Sequence, residues 1–385
     1  MIRGEKTIEP GISFDLEAIA PRERMLFFDI ETTGLSAGKS HIYLIGMLHF
    51  DGEAWKLLQY FAEDPLEEEQ LLEAFFALVR EKKKNGRLFL ISYNGDGFDL
   101  PFIKKCVSQY RLPWDLGGIV SLDLLKKFRP YRRLAGLSDC KLKTVEKLCG
   151  IEREDKFSGA ELIEVYREYL RLKHIPEGFL DDNAYNRALA DKLLYTLLLH
   201  NAEDVTAMPP LLSVMAYELM FRGGLSVEAP EELHAGGKHL LDLKARLPMP
   251  LPSEYEYEDE HYVLYAGGDR LELVVTLYEG ELRYFFDDYK NYYYLPEEDY
   301  AIHKSVGSFV APSARRQATA SSCYQKKQGI FLPEKEALFT PVFYRSTKNG
   351  EKYAAYEAGM LQDEADAGRY LRSVLCALTG VSAPH

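Results

Sequence analysis

Apolar and polar positions along the first 110 residues fall into two kinds of run. Residues 25–30 (MLFFDI), 43–50 (YLIGMLHF), 55–61 and 88–93 (LFLISY) are short and largely apolar, the pattern of strands buried in a sheet. Asp51-Gly52 marks a tight turn between the second and third runs. A different rhythm follows the third. After Asp64-Pro65, an N-cap with proline at the first helical position, Leu66, Leu71, Leu72, Phe75, Phe76 and Val79 recur at helical spacing. Asn85-Gly86 ends that helix, and residues 100–110 predict a second. The order β-β-β-α-β-α predicts an α/β domain with a mixed five-stranded sheet flanked by helices, the fifth strand lying near Asp123. Asp123 itself reads either as a supporting carboxylate or as a capping residue.

Further along, residues 161–173, 184–199 and 204–221 are helical in pattern, with a break or kink expected at Pro209-Pro210. Residues 1–24 read as an irregular lead-in. Residues 226–260, with LPMPLP followed by the acidic YEYEDE, read as a linker. Beyond it the composition shifts, since 15 of the 26 tyrosines lie between Tyr255 and Tyr356. There, residues 271–278 and 281–286 flank Glu279-Gly280 as an expected hairpin, and 359–378 predict a closing helix. The expected organisation is therefore a domain at 25–225 and a second, smaller α+β domain at 261–385.

Composition changes little in this picture. With 46% hydrophobic and 28% charged residues the chain has the mix of a soluble globular protein, and no apolar run nears the ~18 residues of a membrane span. No apolar leader follows the initial Met1, and five cysteines without a CxxC pair are expected as reduced thiols; together these predict a cytoplasmic protein without membrane partners. Charge changes the picture more. A net charge of −13 argues against holding a polyanion through the overall field, yet the charge is segregated. Residues 126–143 hold seven cations, Arg132, Arg133 and Lys143 among them, against Asp139 alone. Residues 300–333 hold five, including Arg315 and Arg316, and no acid. The first stretch reads equally as a phosphate track or a solvated face, and the second as a nucleic-acid contact. The rings of residues 284–294 read as β core or as a stacking platform.

Three short motifs carry candidate chemistry. In FFDIETTGL, Asp29 and Glu31 are two apart, so a strand projects them from one face. Two such carboxylates call for a cation, and oxygen ligands suit Mg²⁺ or Mn²⁺. In YNGDGFDLP, Asp99 follows the fourth strand and opens a helix. In HNAED, His200 and Asp204 are i and i+4 on one helix face, where an imidazole could take a proton from water. Singly these also fit a solvated strand end, an N-cap and a helix-end histidine. Their order is the specific signal.

In that order the motifs resemble those of the DEDD (DnaQ-like) 3′–5′ exonucleases of the ribonuclease H-like superfamily. The closest resemblance is to prokaryotic proteins described only as ribonuclease H-like domain-containing. The resemblance covers roughly residues 25–215. It implies a ribonuclease H-like fold and two-metal hydrolysis of a nucleic-acid substrate, with Asp29, Glu31, Asp99 and Asp204 as the catalytic metal ligands. Asp29 would bridge two Mg²⁺ or Mn²⁺ ions, Glu31 and Asp204 would hold the first, and Asp99 would hold the second through water. His200 would deprotonate or orient the attacking water. The amides of Thr32 and Thr33, with Asn94 and Phe98, would contact the terminal nucleotide. The chain departs from the family in carrying a histidine at the spacing of the family's tyrosine. It also has about 105 residues between Asp99 and Asp204, which predicts extra helices within 111–190. Two rival readings are a ribonuclease H-like scaffold that binds without cleaving and a structure-specific endonuclease; DNA and RNA are both open as substrates.

Overall fold

The computed structural model describes residues 1–113, 116–174, 183–222 and 224–382. The chain divides into two compact units, Met1–Glu218 and Leu219–His385.

The apolar runs become the centre of the first unit. Ile2–Ile8 (β1), Met25–Thr32 (β2), Ile42–Phe50 (β3), Trp55–Phe61 (β4), Phe89–Ser92 (β5) and Val120–Asp123 (β6) form a six-stranded sheet in the order β1-β4-β3-β2-β5-β6. The pairs β1–β4, β4–β3 and β3–β2 are antiparallel, and β2–β5 and β5–β6 are parallel. This is the expected mixed sheet with one strand more. Every residue of β3 but the last is buried, which is why it reads as a continuous apolar run rather than as an alternation. The helices are Glu68–Lys83 (α1), Asp99–Tyr110 (α2), Leu124–Phe128 (α3), Leu142–Leu148 (α4), Gly159–Lys173 (α5), Asn183–Leu211 (α6) and Met215–Arg222 (α7). Leu71, Leu72, Phe75, Phe76 and Val79 of α1 enter the core as their spacing predicts. Asp64 accepts from the Leu66 amide at 2.9 Å, capping the turn that leads into α1. Tyr166 of α5 stacks on Tyr43 of β3 at 4.1 Å and donates to the Ala62 carbonyl.

The additional strand is β1, from the segment expected to be irregular. Most of its side chains are exposed or half-exposed, so it carries no period-two signal; main-chain pairing to the edge strand β4 makes it a strand. Pro209 and Pro210 lie in the last turn of α6, which ends at Leu211; a 3-10 turn over Leu212–Val214 then separates it from α7, the break expected at the proline pair. Of the expected extra segment 111–190, α3, α4 and α5 account for much, while 114–115 and 175–182 lie outside the described residues.

In the second unit the expected linker is instead largely strand. Its elements are Ser226–Val227 (β7), Glu231–Ala235 (β8), Lys238–Glu258 (β9), Tyr262–Thr276 (β10), Tyr278–Phe285 (β11), Tyr292–Leu295 (β12), Tyr300–His303 (β13), Lys304–Gly307 (α8), Arg316–Gln317 (β14), Tyr324–Glu334 (β15), Val342–Tyr344 (β16), Lys352–Ala355 (β17) and Glu364–Thr379 (α9). LPMPLP belongs to β9: Leu247, Met249 and Leu251 are buried and the prolines face the other way. The ladder with β10 is irregular between the Arg246–Arg270 and Leu251–Gly268 pairs, so prolines without an N–H break no regular pairing there. The expected hairpin at Glu279-Gly280 is also corrected. Those residues sit inside β11, which pairs with β15; Leu277 alone separates β11 from β10, and the two strands belong to different sheets. Strands β11, β15, β17 and β16 close a barrel, and β13, β12 and β14 form a small separate sheet.

Candidate active site

The site is assembled where β2 ends, where α2 begins and along α6. Asp29 and Glu31 alternate with buried Ile30 in β2 and so project from the same face. Asp99 is the first residue of α2, buried, and its Oδ1 accepts from the Ile30 amide at 3.1 Å. α6 presents His200, Asn201 and Asp204. His200 Nε2 stands 3.7 Å from Glu31 Oε1 and 3.5 Å from Asp204 Oδ2. Ligand atoms of Glu31, His200 and Asp204 all lie within 4.8 Å of one another.

These acids disturb one another. Burial pushes Asp29 and Glu31 well above the usual carboxylate range, and the charges of Asp204 and Asp99 push the same way. Burial raises Asp99 to about 7 against the pull of the Ile30 amide.

α6 reaches β2 because β3 lacks a side chain where they cross. Gly46 pairs with Asp29 across the ladder, and a Cβ on it would lie 2.1 Å from Asn201 Oδ1. Asn201, fully buried, donates from Nδ2 to Asp29 Oδ2 at 3.1 Å and accepts from Gln59 Nε2 at 3.0 Å. A chain of contacts from β4 through α6 thus fixes the Asp29 carboxylate.

A second layer comes from the loop between α4 and α5. Glu203, inside the HNAED motif, accepts the amides of Glu154 and Asp155 at 2.8 and 3.0 Å and so docks that loop on α6. The loop delivers two residues. Asp155 Oδ2 lies 2.6 Å from His200 Nδ1; burial would raise this carboxyl, but the contacts from His200 and the Phe157 amide hold it below the usual range. Arg153, half-buried, pairs through Nη2 with Asp204 Oδ1 and Glu146 Oε1, both at 2.5 Å. None of Asn201, Glu203, Arg153 or Asp155 was among the expected site residues. Asn201 and Glu203 stand inside a recognised motif, whereas Arg153 and Asp155 lie in a charged stretch with no local signature.

The other expected residues are placed as follows. Thr32 Oγ1 donates to the Gly34 carbonyl. The Thr33 amide is already donated to the His41 carbonyl at 3.0 Å, so it is not free for a nucleotide, contrary to expectation. Asn94 is exposed, with positive φ, and its amide donates to Asp123. Asp123 also accepts from the Asp96 amide and caps α3, so it shapes the 94–98 loop and is the capping residue of the two readings. Phe98, half-buried, packs on Phe102. Lys143 turns toward Asp155 at 3.3 Å and donates to the Phe157 carbonyl, which makes it a support for the loop. Arg132, half-buried, and Arg133, exposed, follow α3; among the described residues neither forms an ion pair with the four acids. Arg315 and Arg316 belong to the second unit.

A mixed sheet bearing acids at the end of one central strand and on two helices defines a ribonuclease H-like domain. Residues 26–216, just under half of the chain, match the family model of the RNase H superfamily. A DNA polymerase of Desulfurococcus sp. (strain Tok) is 34% identical over 101 residues, covering 24% of this chain and 13% of the polymerase. Two solved structures overlap more loosely. The zinc-bound E. coli ExoI–ssDNA complex is 13% identical, with a TM-score of 0.28, and an ExoI/SSB-Ct complex is 16% identical, with a TM-score of 0.23. Each overlap covers 63% of this chain and little more than half of the other, 54% and 55%, and at these scores it defines no shared fold. Among the described residues no helix is long and apolar enough to cross a membrane.

Proposed function

We propose that the first unit is a nuclease that hydrolyses single-stranded DNA or RNA from the 3′ end with two divalent ions, Mg²⁺ or Mn²⁺. The observation that carries this reading is the cluster of Glu31, His200 and Asp204, with Asp29 and Asp99 close enough to act electrostatically on the same acids. Asp29, Glu31 and Asp99, whose proton affinity burial and neighbouring carboxylates raise, suit hard divalent cations, and the donors are the oxygen ligands such ions prefer. Asp29, Glu31, Asp99 and Asp204 would hold them. Bound there, the ions activate water and stabilise the leaving 3′ oxygen.

The chain's own residues supply the rest. The short contact to Asp155 places the proton of His200 on Nδ1, which leaves the Nε2 lone pair facing the acids, ready to take a proton from the attacking water. Asp155 is a positioning residue that fixes the ring and its tautomer. Asn201 orients Asp29, and Arg153 offsets one charge on Asp204. Asn94 and Phe98, in the loop that leads to Asp99, would meet the terminal nucleotide. Arg132 and Arg133 are the cations proposed to follow its phosphates.

The Arg153–Asp204 pair is the one observation favouring a non-cleaving scaffold, since a guanidinium there neutralises an acid without an ion. Product length separates the readings. With 5′-labelled single strands of DNA and RNA in Mg²⁺ or Mn²⁺, the proposal predicts a ladder shortening from the 3′ end. Internal fragments alone would indicate an endonuclease, and intact strands would favour the scaffold.

A further inference from the structure

In the second unit the hairpin of β8 and β9 turns on Gly236-Gly237, both at positive φ, and sets His234 directly opposite His239. The two rings stack, with centres 4.3 Å apart and planes 23° from parallel. Glu232 stands two residues before His234 in β8 and so shares its face of the ladder. Its Oε2 lies 3.2 Å from His239 Nε2. Two imidazoles and a carboxylate therefore converge on one face of a tight hairpin, His239 buried and His234 exposed.

The groups behind these three are also in place. Glu279 of β11 sets its Oε1 3.5 Å from His239 Nδ1, the ring nitrogen not facing Glu232. Tyr356 donates to Glu232 Oε1 at 2.8 Å, which holds that carboxyl below the usual range, and its ring meets His239 edge-on. A histidine that ligates a metal through one nitrogen usually gives the proton of the other to a carboxylate, and a ligating carboxylate is itself hydrogen-bonded. Zinc holds nitrogen and oxygen at about 2.0–2.2 Å, so two ligands of a tetrahedral ion stand about 3.3 Å apart. The Glu232–His239 pair already has that spacing. The side chain of His234 makes no hydrogen bond among the described residues, which leaves it free to turn a nitrogen toward the same point. Neither Glu232 nor Glu279 has a lysine or arginine partner among the described residues. Glu260, His261 and Glu351 also converge in this unit, but there Arg345 Nη2 lies 2.9 Å from His261 Nε2 and supplies the cation itself.

The geometry points to a binding site for a divalent transition ion, Zn²⁺ foremost, on this hairpin, with His239 Nε2, Glu232 and His234 as ligands and one tetrahedral position left for water. Imidazole nitrogens with one carboxylate suit Zn²⁺, whereas Mg²⁺ asks for six oxygen ligands. Through Glu279 and Tyr356 the bound ion fastens the hairpin to β11 and to the chain that follows β17. The site belongs to the second unit and does not rest on the nuclease reading of the first.

The test titrates the metal-free full chain with Zn²⁺ in competition with a chromophoric chelator. Glu31→Gln with His200→Ala serves as the background, so that zinc taken by the first unit does not count. One equivalent is expected to bind. His239→Ala should abolish it, and His234→Ala should weaken it at least about tenfold. Glu279→Gln, which removes only the support of Nδ1, should weaken it about 10–100-fold. Zinc should raise the melting temperature of the background chain and not that of His239→Ala. His234 is exposed, so His234→Ala decides the matter if His239→Ala does not fold. No zinc bound in the background, or an equivalent bound as tightly by His234→Ala as without it, overturns the inference. Cleavage by the wild type is scored separately and stands or falls on its own.

Discussion

His200 depends on a carboxylate that no motif contains. Asp155 holds its Nδ1 at 2.6 Å, and Lys143 and the Phe157 amide hold Asp155 in turn. Replacing Asp155 with Asn keeps the size but removes the charge that fixes the tautomer. The expected result is a fall in kcat of about 10–100-fold with KM little changed and a displaced pH–rate profile. A lower melting temperature with an unmoved profile would mean that Asp155 only holds the loop. Asp99 gives a second prediction. Its carboxyl, raised to about 7 by burial, is protonated in the fold at a pH where the unfolded chain has already ionised. Its contribution to stability is therefore full below about pH 4 and lost as pH rises to about 7. Metal-free protein should melt at progressively lower temperature across that window, by several degrees. Asp99→Asn, which still accepts from the Ile30 amide, should flatten the trend and raise the melting temperature at pH 8. Calorimetry in EDTA checks both.

Between elements, the crossing of α6 over β3 decides whether the acids meet at all. Gly46→Ala places a methyl group where Asn201 and Val205 now sit, so α6 must move away from the sheet. The expected cost is about 1–3 kcal/mol in denaturant unfolding, together with loss of most activity, because Asn201 then releases Asp29. How much was legible in the sequence follows from which interactions are local. β2 with Asp29 and Glu31, α2 opening at Asp99 and the i, i+4 pair on α6 each declare themselves within a few residues, through periodicity and caps. Arg153 and Asp155 do not, because the charged segment EREDK looks like any solvated loop until Glu203 binds its amides. β1 was missed because an edge strand needs no apolar face, only the free main chain of β4. In β9 the strict alternation of LPMPLP was the strand signal, and its prolines disguised it as a breaker.

For the whole molecule, an overall charge of −13 would repel a nucleic acid at long range, so on the proposed reading capture would rest on the oxygen cluster of the first unit. A divalent ion would be central to such capture, since without it the acids oppose both one another and the phosphate backbone. The most direct test is a time course of cleavage of 5′-labelled single strands by wild type and Asp29→Ala, each in Mn²⁺, in Mg²⁺ and in EDTA. Stepwise shortening by the wild type is expected in the divalent ions and none in EDTA, with a loss in Asp29→Ala of at least about 10³-fold. Cleavage that persists in EDTA, or at an undiminished rate in Asp29→Ala, would contradict it.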